Sequence, residues 1–346
     1  MSIQWMDNFN MYGGSLSTAQ DGTPWIAFTG LGGALVEDPD PNATGFVLEI
    51  PGPTGSARGN ARLALTTPGT VAGMAFRLWQ PALPSSPSKS PIFAVHSAGN
   101  SVIYAVRLYP NGSLRIERGT TEIADSVAPV VFAGAWNHLE FRFDTVTGEI
   151  SAWREGIPIT ALTITDPAPP GTTVGIVGFD SAYPGDIATS YPLMKDLVVY
   201  DGSGTENNTQ IGPVTVYNLL VDADVSSGWV PSSGSSDAAL LGVEDPDDLN
   251  YIAANATPPA PSIMTFQDLP EDVVSVRAIM PLIRMMKTDG GDAQVQMTVG
   301  GDAGADRTMT TAFAYYWDIS EVDPATTDPW TPIAVNAAEI EVARTV

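Results

Sequence analysis

The sequence predicts an all-β protein of two successive domains, and three observations carry that expectation. Leu139, Phe141 and Phe143 alternate with Glu140, Arg142 and Asp144, the period of two that gives a strand one apolar face and one charged, wet face. The chain has 33 glycines and 29 prolines between short runs of Val, Ile, Thr and aromatic residues, which suits strands joined by turns. Its 346 residues are enough for two cores of ordinary size, and a hydrophobic fraction of 44% argues against global disorder.

Taken in order, Trp5, Phe9 and Tyr12 precede a Gly pair and mark an opening strand that pairs late with the end of its domain. Short strands follow at Trp25 to Phe28, Gly45 to Ile50, Arg62 to Leu65 and Val71 to Trp79. Four prolines make Pro81 to Pro91 an exposed loop. Val102 to Tyr109 and Leu114 to Arg118 flank Asn111-Gly112, the strongest short hairpin signal in the chain. Val130 to Ile159 reads as two long antiparallel strands, with Gly148 supplying the positive φ of the turn between them. Thr173 to Phe179 and Met194 to Asp201 complete the strands of domain 1–205. Gly202 to Thr209 is expected to be a flexible polar linker, and 206–346 a second β-sandwich domain. In that domain Gln294 to Val299 lies between two Gly-Gly-Asp-Ala turns, and Phe313 to Ile319 and Glu339 to Val342 are strands. Val273 to Met286 could be scored as a helix, but Pro281 favours strand.

The formal charge of -24 repels phosphate backbones and anionic headgroups, so nucleic acid and membrane surfaces are disfavoured partners. The excess is greatest in 206–346, with 21 acidic and 5 basic side chains, against 18 and 10 before it. With no cysteine, disulfides, thiolate metal sites and cysteine nucleophiles are excluded. Neither a signal-like start nor an apolar run long enough to cross a bilayer is present, so the expectation is a soluble protein made in the cytoplasm.

Trp136-Asn137-His138, the strand that follows, the Asp144-x-x-x-Gly148 turn and Trp153-Arg-Glu-Gly-Ile-Pro158 resemble the hairpins of concanavalin A-like jelly rolls, the laminin-G, pentraxin and legume-lectin superfamily. Met194 to Asp201 resembles the closing strand of laminin-G-like domains, which pairs with the first. This resemblance covers about the first two thirds of the chain and implies a jelly-roll sandwich. The order Ile211 to Val216, Gly228 to Gly234, Glu244 to Asp248, Thr265 to Pro270 and Asp323 to Thr331 is similar to the C-terminal half of certain tailed-bacteriophage virion proteins. In those proteins a laminin-G-like part precedes an acidic β-domain. No functional residue is carried over from them, and no long fibrous repeat is present.

His138 could serve as a base or ligand, but it reads better as a core-strand residue, and it and His96 have no zinc-like spacing. A laminarinase-type Glu-x-Asp-x-x-Glu strand is missing, since Glu321-Val-Asp323 runs into Pro-Ala-Thr; no nucleophile elbow or phosphate loop is found. No catalytic residue is assigned. Calcium is the one cofactor the acidic loops suggest, through Glu37, Asp38 and Asp40, through Glu244, Asp245, Asp247 and Asp248, or through Asp289, Asp292, Asp302 and Asp306. Asp245, Asp247 and Asp248 are the set carried forward. Trp79, Tyr183 and Tyr191, near Pro-containing loops, are candidates for stacking on a sugar, although such aromatics more often belong to a core or interface.

The expected function is binding without turnover: a structural protein on a tailed-phage virion, as a tail fibre or tail-tip component. The alternatives are a head decoration or head fibre and a carbohydrate-binding receptor-recognition module, with a glycan-degrading enzyme third. Expected partners are other virion proteins, further copies in a homo-oligomer and a host-surface glycan.

Overall fold

The computed structural model describes residues 2–12, 22–29, 35–39, 46–49, 60–84, 91–180, 192–243, 248–254, 260–288 and 290–346. In the first two hundred residues the strands are β1 (Ile3–Asp7), β2 (Trp25–Thr29), β3 (Leu35–Glu37), β4 (Phe46–Glu49), β5 (Asn60–Gly69), β6 (Val71–Trp79), β7 (Pro91–Ser97) and β8 (Val102–Leu108). They continue with β9 (Leu114–Arg118), β10 (Thr121–Asp125), β11 (Trp136–Asp144), β12 (Glu149–Arg154), β13 (Ile157–Pro158), β14 (Ile164–Thr165), β15 (Val174–Asp180) and β16 (Leu193–Tyr200).

These strands form two antiparallel sheets. The first runs β13-β12-β11-β6-β16-β4-β3, with β1 also on β16 and β14 on β12; the second runs β10-β9-β8-β7-β15-β5-β2. The protein is thus an all-β, concanavalin A-like sandwich in this part. Inward residues of both sheets meet in one aromatic core, where Phe93 lies 5.9 Å from both Phe141 and Phe143 and Phe179 meets Phe76 edge to face at 5.1 Å. Each such ring, fully buried, contributes roughly 1.5–3 kcal/mol of transfer free energy.

The expected hairpins form. β8 and β9 pair across Asn111-Gly112, and β11 pairs β12 from Leu139 opposite Arg154 to Phe143 opposite Ile150. Gly148 has φ +77°, and a Cβ there would stand 2.5 Å from the Asp166 carbonyl oxygen, so only glycine fits. The closing strand β16 pairs the opening strand β1, as expected.

Beyond residue 205 a third sheet runs β17 (Val221–Ser226), β20 (Ser262–Phe266), β26 (Ile340–Arg344), β22 (Gln294–Val299) and β23 (Asp302–Ala303), with β24 (Arg307–Thr308) also on β22. Two ribbons accompany it, β18 (Val230–Pro231) with β19 (Ile252–Ala253), and β21 (Leu282–Met285) with β25 (Ala314–Trp317). Two short helices complete this part, α1 (Asp237–Leu241), capped by Ser236, and α2 (Pro332–Asn336), capped by Thr331. Of Val273 to Met286, Leu282–Met285 is strand and none is helix.

Among the described residues no strand pair joins the first two sheets to the third, yet the chain after 205 is packed onto the sandwich. Tyr315 belongs to the main core, and Trp317 meets Trp5 edge to face at 5.1 Å. The Glu321 carboxylate accepts the backbone N–H groups of Ser2 (2.7 Å) and Ile3 (3.1 Å).

Two expectations are corrected here. The segment 202–209 is not a free linker: Asn207 donates to Glu321 and to the Arg277 carbonyl, and the Gly204 N–H to Ser2. Nor is the charged face of β11 wet throughout, since Glu140 is 0% exposed while Arg142 and Asp144 on the same face are half-buried; His138 is a buried strand residue, as expected. Residues 211 and 212 lie over that face and donate their N–H groups to Glu140.

Candidate functional site

The outer face of the first sheet gathers the candidate side chains. Alternation along β6 turns Met74, Phe76 and Leu78 inward and leaves Gly73, Ala75, Arg77 and Trp79 outward. On β11, paired residue for residue with β6, Trp136 stands opposite Trp79 and His138 opposite Arg77. Gly73 is required because the ring of buried Tyr200 would lie 2.1 Å from any Cβ there. The Tyr200 hydroxyl donates to Glu140 at 2.8 Å.

Trp79 and Trp136 meet edge to face, centroids 5.8 Å apart, and both are half-buried. Lys195 Nζ sits 4.4 Å from the Trp136 centroid and pairs with Asp38 at 2.5 Å, while the Trp136 indole N–H donates to the same carboxylate at 3.3 Å. The arrangement presents two indoles at an angle with a cation beside them, held by the fold's own bonds.

Below the indoles the face is dry. Burial raises the Glu140 carboxyl above its usual range, against the pull of the Ile211 and Gly212 N–H groups and the Tyr200 hydroxyl. Asp196 is likewise raised by burial, against the Val216 N–H and Arg77. Burial pushes the His138 imidazole down to about 4, with Glu155 opposing and Arg77 adding to the shift, and neither ring nitrogen has a hydrogen-bond partner.

Because the folded value lies below the ordinary 6.5, the unfolded chain takes the proton first. Stability is therefore lost as pH falls from 6.5 towards 4, by about 3 kcal/mol from this group. The raised carboxylates act in the opposite sense and cancel in a comparison of variants. The loss in denaturation midpoint between pH 7 and pH 4.5 is expected to be smaller in His138→Gln than in the wild type; equal losses would refute the assignment.

A groove of about 900 Å³ opens between the edge of this face, at Met6 and Val198, and the C-terminal sheet and ribbons. Met264, Met280, Met285 and Met309 line it. Its walls come largely from 213–221 and 272–288, completed by residues of β19, β20 and β26, a combination that sequence patterning does not mark as a site.

Asp248 is placed at this groove, where Arg284 Nε and Nη2 bind its two carboxylate oxygens at 2.9 and 3.1 Å. Its charge is thus matched by a guanidinium. Asp245 and Asp247 lie outside the described residues, as do Tyr183, Tyr191, Asp40, Glu244 and Asp289. Asp302 accepts from Ser320 and Asp306 from Thr345. No group of three or more His, Cys, Asp or Glu side chains suited to a metal ion occurs among the described residues. None of their helices is long and apolar enough to cross a membrane.

No family model matches the chain, and no curated protein does. Among solved structures it is similar to the cellulose-induced protein Cip1, at 14% identity over 61% of this chain and 100% of that one, with a TM-score of 0.43. A Bacillus subtilis protein of unknown function with a galectin-like fold matches at 12% identity over 58% and 96% (TM-score 0.40). Domain 4 of AbnA, an extracellular arabinanase of Geobacillus stearothermophilus solved with arabinotriose, matches at 14% over 57% and 92% (TM-score 0.39). No residue role is transferred from them.

Proposed function

We propose that the protein is a non-enzymatic structural and binding component of a tailed-phage virion, exposed on the particle surface as part of a tail fibre or tail tip. The observation that carries this reading is the number of large apolar side chains exposed in the C-terminal part among the described residues. Tyr217, Leu249, Tyr251, Val274 and Ile333 are all exposed there, in a chain otherwise strongly acidic. Large apolar side chains gathered on an acidic surface suit attachment to other proteins. The buried carboxylates Asp7, Glu140, Asp196 and Glu321 are engaged by N–H and O–H groups of the fold, which suits structural roles better than turnover. Mass spectrometry and cryo-electron microscopy of purified particles test the reading: the chain is expected among the virion proteins, with density on the tail. Density on the head would make it a decoration or head fibre, and absence from the particles would refute a virion role.

A second reading, recognition of a host-surface glycan, is favoured by the Trp79–Trp136 pair with Lys195 beside it. Trp79→Ala is expected to weaken binding to host polysaccharide about tenfold, the equivalent of about 1.4 kcal/mol. A glycan array on which the wild-type protein binds nothing would count against this reading.

A further inference from the structure

We infer that Lys195 and Asp38 become joined by an intramolecular amide bond, an isopeptide cross-link that the folded chain makes by itself. The first ground is contact. Lys195 Nζ lies 2.5 Å from Asp38 Oδ2, and the carboxyl carbon is one bond beyond, close to the roughly 3–3.5 Å of a near-attack pair. The other oxygen, Oδ1, accepts the Trp136 indole N–H at 3.3 Å, which fixes the carboxyl group and polarises the carbonyl that the amide keeps.

The second ground is seclusion. The Lys195 side chain is 16% and the Asp38 side chain 4% exposed, with Nζ 4.4 Å from the Trp136 ring centroid. Holding two charges away from water is costly, and an amide replaces both with one neutral group.

The third ground is a neighbouring carboxyl that can carry a proton. Met194 and Leu197 of β16 both enter the main core although three positions apart, so one extra residue is fitted between them. The register against β6 shifts between Lys195 and Val198, and Asp196 takes φ +52°. This bulge sends both Lys195 and Asp196 to the outer face, where Asp196 meets Arg77 at 3.3 Å and feels the charges of Lys195 and Asp38. Burial of Asp196 favours its protonated form, which suits it to relay a proton.

The step balances without an added reagent. One proton passes from the ammonium to the carboxylate, and the Nζ–Cγ bond forms. The Cγ–Oδ2 bond then breaks, and that oxygen leaves as water with a second proton from the nitrogen; nothing is oxidised or reduced. The product ties the end of β3 to β16 across 157 positions of sequence.

The bond is independent of both functional readings, because the mass of the purified chain alone reports it. Intact-mass spectrometry of the denatured full chain is expected to find it lighter than its sequence by one water, and protease digestion to yield a branched peptide holding Asp38 and Lys195. Lys195→Arg keeps the charge but lacks the amine, so it is expected to show the full sequence mass; circular dichroism checks that it is folded. In freshly translated chain, Asp196→Asn is expected to slow the linkage at least about tenfold, and an unchanged rate would remove Asp196 from the step. A folded wild-type chain at full sequence mass, a missing water retained in Lys195→Arg, or a missing water without the branched peptide would overturn the inference.

Discussion

Asp7→Ala is expected to destabilise the protein by about 3–5 kcal/mol, the largest effect of any single substitution considered. Asp7 is fully buried, yet it is the acceptor on which the opening segment converges. Its carboxylate takes the indole N–H groups of Trp5 (3.2 Å) and Trp25 (2.9 Å), the Tyr12 hydroxyl (2.7 Å) and the Phe9 N–H (2.7 Å). Burial raises its pKa while these four donors pull the other way. Removing the acceptor leaves all four donors without it inside the core, and an unsatisfied buried donor costs more than a hydrogen bond contributes. Asp7→Asn is expected to be nearly as costly, because its amide brings N–H groups to a point where donors already converge. Urea denaturation measures both; a loss below about 1 kcal/mol for Asp7→Ala would remove the hub role.

Glu140→Ala is expected to cost about 3 kcal/mol and to open the chain between residues 202 and 217 to proteases. Glu140 holds the crossing segment through the N–H groups of Ile211 (2.7 Å) and Gly212 (2.9 Å), and holds Tyr200 by its hydroxyl. Glu140→Gln keeps one acceptor oxygen and the side-chain volume, so an intermediate loss is expected. Limited proteolysis at native pH, with the cleavage site read by mass spectrometry, separates the two consequences. Unchanged protection in Glu140→Ala would mean that Asn8, which donates to the Val216 carbonyl, and Asp196, which accepts the Val216 N–H, hold the segment without it.

What was legible in the sequence is what period and turn chemistry specify. The alternation at Leu139, Phe141 and Phe143 identified the inward face of β11, Asn111-Gly112 gave a hairpin, and Met194 to Asp201 was recognised as the partner of the first strand. A period of two states which face a side chain is on, not what covers that face. Glu140 therefore reads as wet although residues 211 and 212 lie across it, whereas His138 reads as a core-strand residue and is one. Trp79 is legible as a candidate, but its partner Trp136, and the Lys195 and Asp38 that contact Trp136, come from other strands and a loop, which only the sheet order brings together. The groove carries no sequence signal for a related reason: its walls combine irregular chain at 213–220 and 272–281 with residues of β19, β20, β21 and β26, which only the tertiary fold brings together.

The bond between Glu321 and the first residues also bears on the order in which the molecule assembles. β1 has its register partner in β16, nearly two hundred residues later, and its backbone donors at Ser2 and Ile3 then meet a carboxylate 319 and 318 positions away. During synthesis the opening strand therefore emerges long before either partner exists. Closing such separations is entropically slow, so the last event of folding is expected to be the docking of residues 2–7, after the sandwich has otherwise formed. A chain stopped before residue 321 would expose those two amide groups and the edge of β1, a template on which nascent chains can pair with one another.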